Sequence, residues 1–359
     1  MRYGMIMAGG SGTRLWPMSR RARPKQLLEI FDEQSLLGIA MQRLDSVIDP
    51  DKKLICASEK HREIIKSGLP NLGPDQFLGE PCGRDTLNAV GLTAAVLHHQ
   101  DPEAIFLVLT ADHIIEPQRE FAQATQTALS LVEDDPSRMV TFGIRPTYAA
   151  TGYGYVERGE PINGFEGSFA ATRFVEKPDM ATAESYLASG NFDWNSGMFV
   201  FSAASFLNAL AQYAPESHSG LTRIASKWDT PQRQDVLADI YPTLPKLSVD
   251  YGIMEPVSND DRWNICVVPM NVQWLDLGSW TSYADTLPAD EHGCRANGPA
   301  VHVNSKNVLT VTDDPTHTIT TIGAENMIVI HTADATLVLP FECDQQVKDL
   351  AQQVDPSLR

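Results

Sequence analysis

The most constraining feature of this chain is its beginning, where the apolar run Tyr3-Gly4-Met5-Ile6-Met7 opens directly into Ala8-Gly9-Gly10-Ser11-Gly12-Thr13-Arg14-Leu15-Trp16-Pro17. A short apolar run of this kind reads as a buried strand. The glycines behind it let backbone N–H groups converge on anionic oxygens with no Cβ in the way. Two widespread phosphate loops do not fit. The Walker A pattern needs Gly-Lys-Ser/Thr after four spacers, and the dinucleotide fingerprint needs glycine where Leu15 stands. A bare Gly-x-Gly is usually an ordinary strand-to-helix turn. Here Arg14 and the Lys25 of Pro24-Lys25-Gln26 add the positive charge that a triphosphate requires, which tips the reading toward phosphate binding.

Further short apolar runs at 53–57, 104–110, 139–143, 198–201 and 265–268 read as buried strands, and helix-like periods lie between several of them. In 35–47, Leu36, Ile39, Ala40, Arg43, Leu44 and Val47 recur near a 3.6-residue period, and 122–132 does the same through Ala124, Ala128, Leu131 and Val132. Such alternation predicts an α/β domain with a largely parallel sheet. The texture changes after Trp280. A Pro-, Asp- and Gly-rich stretch at 285–299 precedes short Val/Ile/Thr segments at 301–303, 308–312, 318–322, 327–331 and 336–339, and 344–354 reads as a closing helix. This predicts a larger α/β domain over 1–285 and a small β-rich domain over 286–359.

A net charge of −18, from 28 basic and 46 acidic residues, repels nucleic acid and anionic headgroups, so neither is an expected partner. Anionic substrates must then meet a local basic site. The five cysteines are scattered and form no Cys-x-x-Cys, which points to a reducing compartment. The apolar start is too short for a signal segment and no run reaches transmembrane length, so a cytoplasmic location is expected.

Two aspartates stand just past apolar runs: Asp112 in Thr110-Ala111-Asp112-His113, and Asp276 in Trp274-Leu275-Asp276-Leu277-Gly278-Ser279-Trp280. Strand ends are where α/β sheets place ligand groups. A pair of carboxylates suits an oxygen-coordinated Mg²⁺ beside crowded phosphates. Alone, each reads equally well as a helix cap, and His113 reads as structural. In Phe174-Val175-Glu176-Lys177-Pro178 an acceptor sits next to a cation, which on composition alone is an ordinary solvated pair.

The glycine loop together with Pro24-Lys25-Gln26 resembles the signature of sugar-phosphate nucleotidylyltransferases, and its Trp-Pro form resembles their mannose-1-phosphate guanylyltransferase branch. The resemblance runs from Gly9 to about Val347. It implies a Rossmann-like α/β nucleotidyltransferase domain with a mixed, mainly parallel sheet, followed by a short left-handed β-helix that serves packing or homodimer formation. It implies transfer of GMP from GTP to mannose 1-phosphate with Mg²⁺ as cofactor, held by Asp112 and Asp276. Arg14, Lys25 and Lys177 become the catalytic cations. Gly9, Gly10, Ser11, Gly12, Thr13, Arg84 and Asp85 become nucleotide contacts, and Gly154, Glu176 and Asn195 sugar contacts. Tyr153 and Trp194 beside them read equally well as core packing.

The base-reading segment Glu80-Pro81-Cys82-Gly83-Arg84-Asp85-Thr86 departs from the family, which has asparagine after the arginine and Ala-Pro where Leu87 and Asn88 stand. A carboxylate at Asp85 can accept from guanine N1–H and its amino group, or it can cap a helix starting near Thr86. Asp250, in Ser248-Val249-Asp250-Tyr251-Gly252, falls in a family-like segment and receives no role.

Rival readings are the same chemistry on heptose or glucose 1-phosphate or with another nucleotide, a metal-dependent glycosyltransferase, and a non-catalytic nucleotide-sugar-sensing subunit. A glycosyltransferase wants Asp-x-Asp after a strand, whereas Asp49-Pro50-Asp51 follows a helix-like stretch. The intact set Arg14, Lys25, Asp112, Lys177 and Asp276 argues against a sensor. No His-x-His pair is present, so the isomerase activity of bifunctional relatives is not expected.

Overall fold

The computed structural model describes residues 1–10, 12–29 and 34–359. They form two compact units, one of Met1–Gly9, Gly38–Ala111 and Ile115–Trp274, the other of Gly10–Leu37, Asp112–Ile114 and Leu275–Arg359.

The first unit is built on a nine-stranded sheet. Its strands lie in the order Phe77–Glu80, Lys53–Ser58, Arg2–Met7, Ile105–Thr110, Phe192–Ser202, Arg138–Ile144, Asn264–Met270, Phe169–Val175 and Tyr155–Pro161. The first four pair in parallel, as the βα alternation predicts. Phe192–Ser202 runs antiparallel to both Ile105–Thr110 and Arg138–Ile144, so the sheet is mixed. The near-continuous burial of Ile105–Thr110 is that of a central strand covered on both faces. The helix Asp85–Gln100 buries Leu87 through Leu97 without interruption. Gly91 gives its neighbour room, because a Cβ there would stand 2.6 Å from Leu221. Phe106, Phe199, Phe201 and Phe206 fill the core. Truncating any one to alanine should cost about 3–5 kcal/mol.

Two sheet strands deliver the chain to chemistry. Met7 pairs with Thr110, and the amide of Ala111 donates to the Met7 carbonyl at 3.1 Å. The segments leading to Gly9 and to Asp112 therefore leave the sheet in register.

In the second unit the strands of the C-terminal region stack as coils. Ala300–Val303 pairs in parallel with Ile319–Ile322, and Lys306–Thr312 with both Arg295–Asn297 and Glu325–Thr332; Ala335–Pro340 closes the stack antiparallel. Leu309, Val311, Ile328, Ile330, Leu337 and Leu339 point into the core of these coils. The same core takes up Leu15, Trp16 and Trp280. The Trp280 indole donates to the Trp16 carbonyl at 2.9 Å, and the Trp16 indole to the Leu358 carbonyl at 2.8 Å. The aromatic of the glycine-loop signature is thus a packing anchor. All five cysteines are free, and among the described residues no helix is long and apolar enough to cross a membrane.

Candidate active site

The glycine loop has the backbone that its composition predicts. Gly10 and Gly12 adopt φ of 95° and 58°, in the left-handed region. A Cβ on Gly12 would stand 2.6 Å from the Lys25 Cβ, so loop and lysine stem pack where only glycine fits. The Gly12 carbonyl accepts from the Ser19 hydroxyl at 2.6 Å and the Leu15 amide at 2.9 Å. Thr13–Leu15 is one turn of 3-10 helix. Arg14 on that turn is exposed. Ser11 lies outside the described residues.

Lys25 is buried, and its ammonium closes on the carboxylate of Asp112. Burial pushes the Asp112 carboxyl up, but Lys25 and His113 outweigh it and hold the group below the ordinary aspartate value. The His113 Nε2 lies 4.0 Å from Asp112 Oδ1. The Leu277 amide donates to the Asp112 carbonyl at 3.0 Å, and Gly278 donates to the Asp276 carbonyl at 2.8 Å. Asp112, His113 and Asp276 each present one ligand atom, all within 4.8 Å of one another. Two carboxylates at this spacing suit a hard divalent cation. His113 joins the group that the sequence confined to the two aspartates. Its adjacency to Asp112 was the only signal.

Neither aspartate serves as a cap. A strand, His113–Glu116, follows Asp112. The helix Trp280–Ala284 is capped by Ser279, while Asp344 accepts from the amides of Trp280 and Thr281, both at 3.1 Å.

The first unit carries the other predicted group. The Glu176 side chain is only 6% exposed, unlike a solvated surface pair, and it accepts from Lys177 Nζ at 2.5 Å. Lys177 adopts φ of 48°, a conformation a non-glycine residue holds only under constraint. Burial pulls its ammonium down, but Glu176 and then Asp250 raise it overall. Gly154 opens the space in front: a Cβ there would stand 2.6 Å from Glu176 Oε2 and 3.4 Å from Asn195 Nδ2. Asn195 is buried. Its Oδ1 accepts from Thr141 Oγ1 at 2.9 Å and the Gly197 amide at 3.2 Å, and its Nδ2 donates to Asp250 Oδ1 at 2.9 Å. Beside this group the Trp194 ring meets Tyr148 and Tyr153 edge-on, at centroid distances of 4.9 and 5.3 Å. Trp194 is itself buried, so for that ring the core-packing reading holds.

The segment 80–86, where the resemblance expects base recognition, leads from the end of the strand Phe77–Glu80 into the first turn of the helix Asp85–Gln100. Asp85 adopts φ of 63°, and its Oδ1 accepts from the Thr86 amide at 2.8 Å. Asn and Asp are the side chains that tolerate this conformation best, which explains how one replaces the other here. Asn88, where the family has proline, is fully buried and donates to the carbonyls of Arg84 and Pro245 at 2.9 and 2.7 Å. No local pattern in the chain marks that clasp.

Comparison with known proteins gives the family of the chain. The nucleotidyl transferase family model matches residues 3–293, and a mannose-phosphate isomerase/GMP-like β-helix domain model matches residues 298–354. A mannose-1-phosphate guanylyltransferase from Klebsiella pneumoniae is 38% identical over 96% of this chain and 72% of its own length. The xanthan biosynthesis protein XanB from Xanthomonas campestris is 35% identical over 98% of this chain and 72% of its own length. The crystal structure of a mannose-1-phosphate geranyltransferase from Thermus thermophilus superposes with a TM-score of 0.86 at 28% identity, covering 98% of both chains. With a glycine loop of the expected backbone and the lysine and aspartates gathered beside it, the chain belongs to the nucleotidyl transferase family, in its mannose-1-phosphate guanylyltransferase-like branch.

Proposed function

We propose that this enzyme transfers GMP from GTP to mannose 1-phosphate, giving GDP-mannose and pyrophosphate. An oxygen of the sugar's 1-phosphate forms the new bond to the α-phosphorus, and the bond from that phosphorus to the bridging oxygen of the β-phosphate breaks. The nucleophile is already ionised at neutral pH, so no general base is required. Positioning and charge neutralisation carry the rate.

The observation that carries this reading is the gathering of Gly10, Gly12, Lys25, Asp112 and Asp276 in one compact unit. The loop amides, Lys25 and exposed Arg14 would neutralise the triphosphate. Gly9, Ser11 and Thr13 would add further nucleotide contacts, while Arg84 and Asp85 would face the base. Lys177 would take the 1-phosphate, with Gly154, Glu176 and Asn195 at the sugar hydroxyls. Mg²⁺ held by Asp112 and Asp276 would supply further neutralisation of phosphate charge. The division at 1–285 and 286–359, a homodimer and a cytoplasmic location complete the proposal.

The test is pyrophosphate release across a grid of nucleoside triphosphates and sugar 1-phosphates. GTP with mannose 1-phosphate should give the highest kcat/KM. A higher value for glucose or heptose 1-phosphate would reassign the sugar, and no release with any pair would overturn the enzyme reading.

A further inference from the structure

Asn195 must present its amide in one orientation to be of use to a sugar. An asparagine amide has one acceptor end and one donor end, and rotation by a half-turn exchanges them. Here the acceptor end is fixed by Thr141 Oγ1 and the Gly197 amide, and the donor end by Asp250 Oδ1 at 2.9 Å. Nδ2 has two N–H bonds. Asp250 takes one, and the other remains for the space over Gly154, where Glu176 Oε2 supplies an acceptor. A donor and an acceptor lining one small space are the complement of a sugar hydroxyl, which both gives and accepts a hydrogen bond.

Asp250 is itself held in place. The Val249 amide donates to Thr86 Oγ1 at 2.9 Å, the Leu87 amide to the Leu247 carbonyl at 3.1 Å, and Asn88 Nδ2 to the Pro245 carbonyl at 2.7 Å. The segment ends in a π-helical turn, Asp250–Met254, a local geometry frequent at functional sites.

We propose that Asp250 is the positioning residue of the sugar site, fixing the Asn195 amide so that its second N–H and Glu176 together receive a sugar hydroxyl. This role rests on the sugar-phosphate reading of the preceding section. The charged groups facing the Asp250 carboxyl are Glu176 and Lys177, with the Tyr251 hydroxyl acting on Lys177. Burial and then the Glu176 charge raise this carboxyl to about 7. A sugar phosphate bound at Lys177 adds negative charge and favours the protonated carboxyl, which still accepts from Asn195 through its carbonyl oxygen.

Two variants test the assignment in the full chain, with GTP and mannose 1-phosphate and pyrophosphate release as readout. Asp250→Ala frees the Asn195 amide and should raise KM for mannose 1-phosphate at least tenfold while KM for GTP stays within twofold. Asp250→Asn retains an acceptor and should restore KM to within about threefold of wild type. In wild type, KM for mannose 1-phosphate should rise between pH 7 and 8.5, and in Asp250→Asn it should stay flat. Equal rises in both KM values, or the same pH profile in wild type and Asp250→Asn, would overturn the role. If Asp250→Ala does not fold, the Asp250→Asn pH comparison decides alone. Wild-type turnover on glucose 1-phosphate only, with the split intact on that substrate, would sink the mannose assignment and leave Asp250 in place.

Discussion

The ammonium of Lys25 pairs with the carboxylate of Asp112, while Asp276, whose ligand oxygen lies within 4.8 Å of that carboxylate, has no matching lysine among the described residues. The two aspartates therefore differ in what they contribute to the fold. Removing one partner of a buried pair leaves a charge uncompensated, at a cost of about 3–5 kcal/mol when burial is complete.

Asp276→Asn should lower turnover at least a hundredfold at saturating Mg²⁺ with a melting temperature close to wild type. Asp112→Asn should lose the same activity and also melt several degrees earlier, because Lys25 is left alone. Pyrophosphate release and thermal melts read the two effects separately. Wild-type turnover in Asp276→Asn would remove the carboxylate pair from the metal assignment.

Lys177→Ala should raise KM for mannose 1-phosphate tenfold or more and leave KM for GTP within about threefold. The lysine side chain is half exposed but the Glu176 side chain is only 6% exposed, so Lys177→Ala leaves a buried carboxylate without its cation and should also lower the melting temperature. Matching losses for both substrates would place Lys177 at the triphosphate instead.

The motifs legible in the sequence were those whose chemistry is carried by residue type and local spacing. The glycines at 9, 10 and 12 marked a loop where a Cβ would be in the way, as it is at Gly12, and Asp112 and Asp276 were marked by standing at strand ends. What stayed hidden was contact over long sequence separation. Asn195 meets Asp250, Asn88 meets Pro245, and Trp16 meets Trp280, each pair set by the folded chain and marked by no local pattern. The antiparallel course of Phe192–Ser202 was hidden for a related reason, since a strand buried on both faces reads the same in either direction.

Glu80 offers a test of buried charge. Its carboxyl accepts from the Tyr241 hydroxyl at 2.6 Å, and burial raises its pKa despite that bond. The folded state then keeps a proton that the unfolded chain releases, so stability falls as pH rises from the ordinary glutamate range through the folded pKa. Glu80→Gln preserves the acceptor for Tyr241 and removes the ionisation. It should melt at or above wild type at pH 8 and show a shallower decline between pH 5 and pH 8. A variant less stable at pH 8 with the wild-type slope would show that the carboxyl is charged throughout.

Asp85 separates two readings that the sequence left open, base recognition and capping. Its Oδ1 is engaged by the Thr86 amide, and its φ of 63° is one that aspartate and asparagine tolerate and alanine does not. Asparagine offers the same acceptor, so Asp85→Asn should leave the melting temperature within about a degree of wild type. Asp85→Ala loses both the acceptor and the conformational tolerance, at about 1–2 kcal/mol, which corresponds to a few degrees in a chain of this size. If Asp85 acts only through this bond, neither variant should change the ratio of kcat/KM for GTP to that for ATP. A charge-assisted bond to guanine is worth about 1.5–3 kcal/mol, so its loss in Asp85→Asn would instead cut that ratio roughly tenfold to a hundredfold. Measuring the ratio and the melt on the same preparations decides between them: an unchanged ratio with an earlier melt in Asp85→Ala assigns the cap, and a collapsed ratio in Asp85→Asn assigns the base.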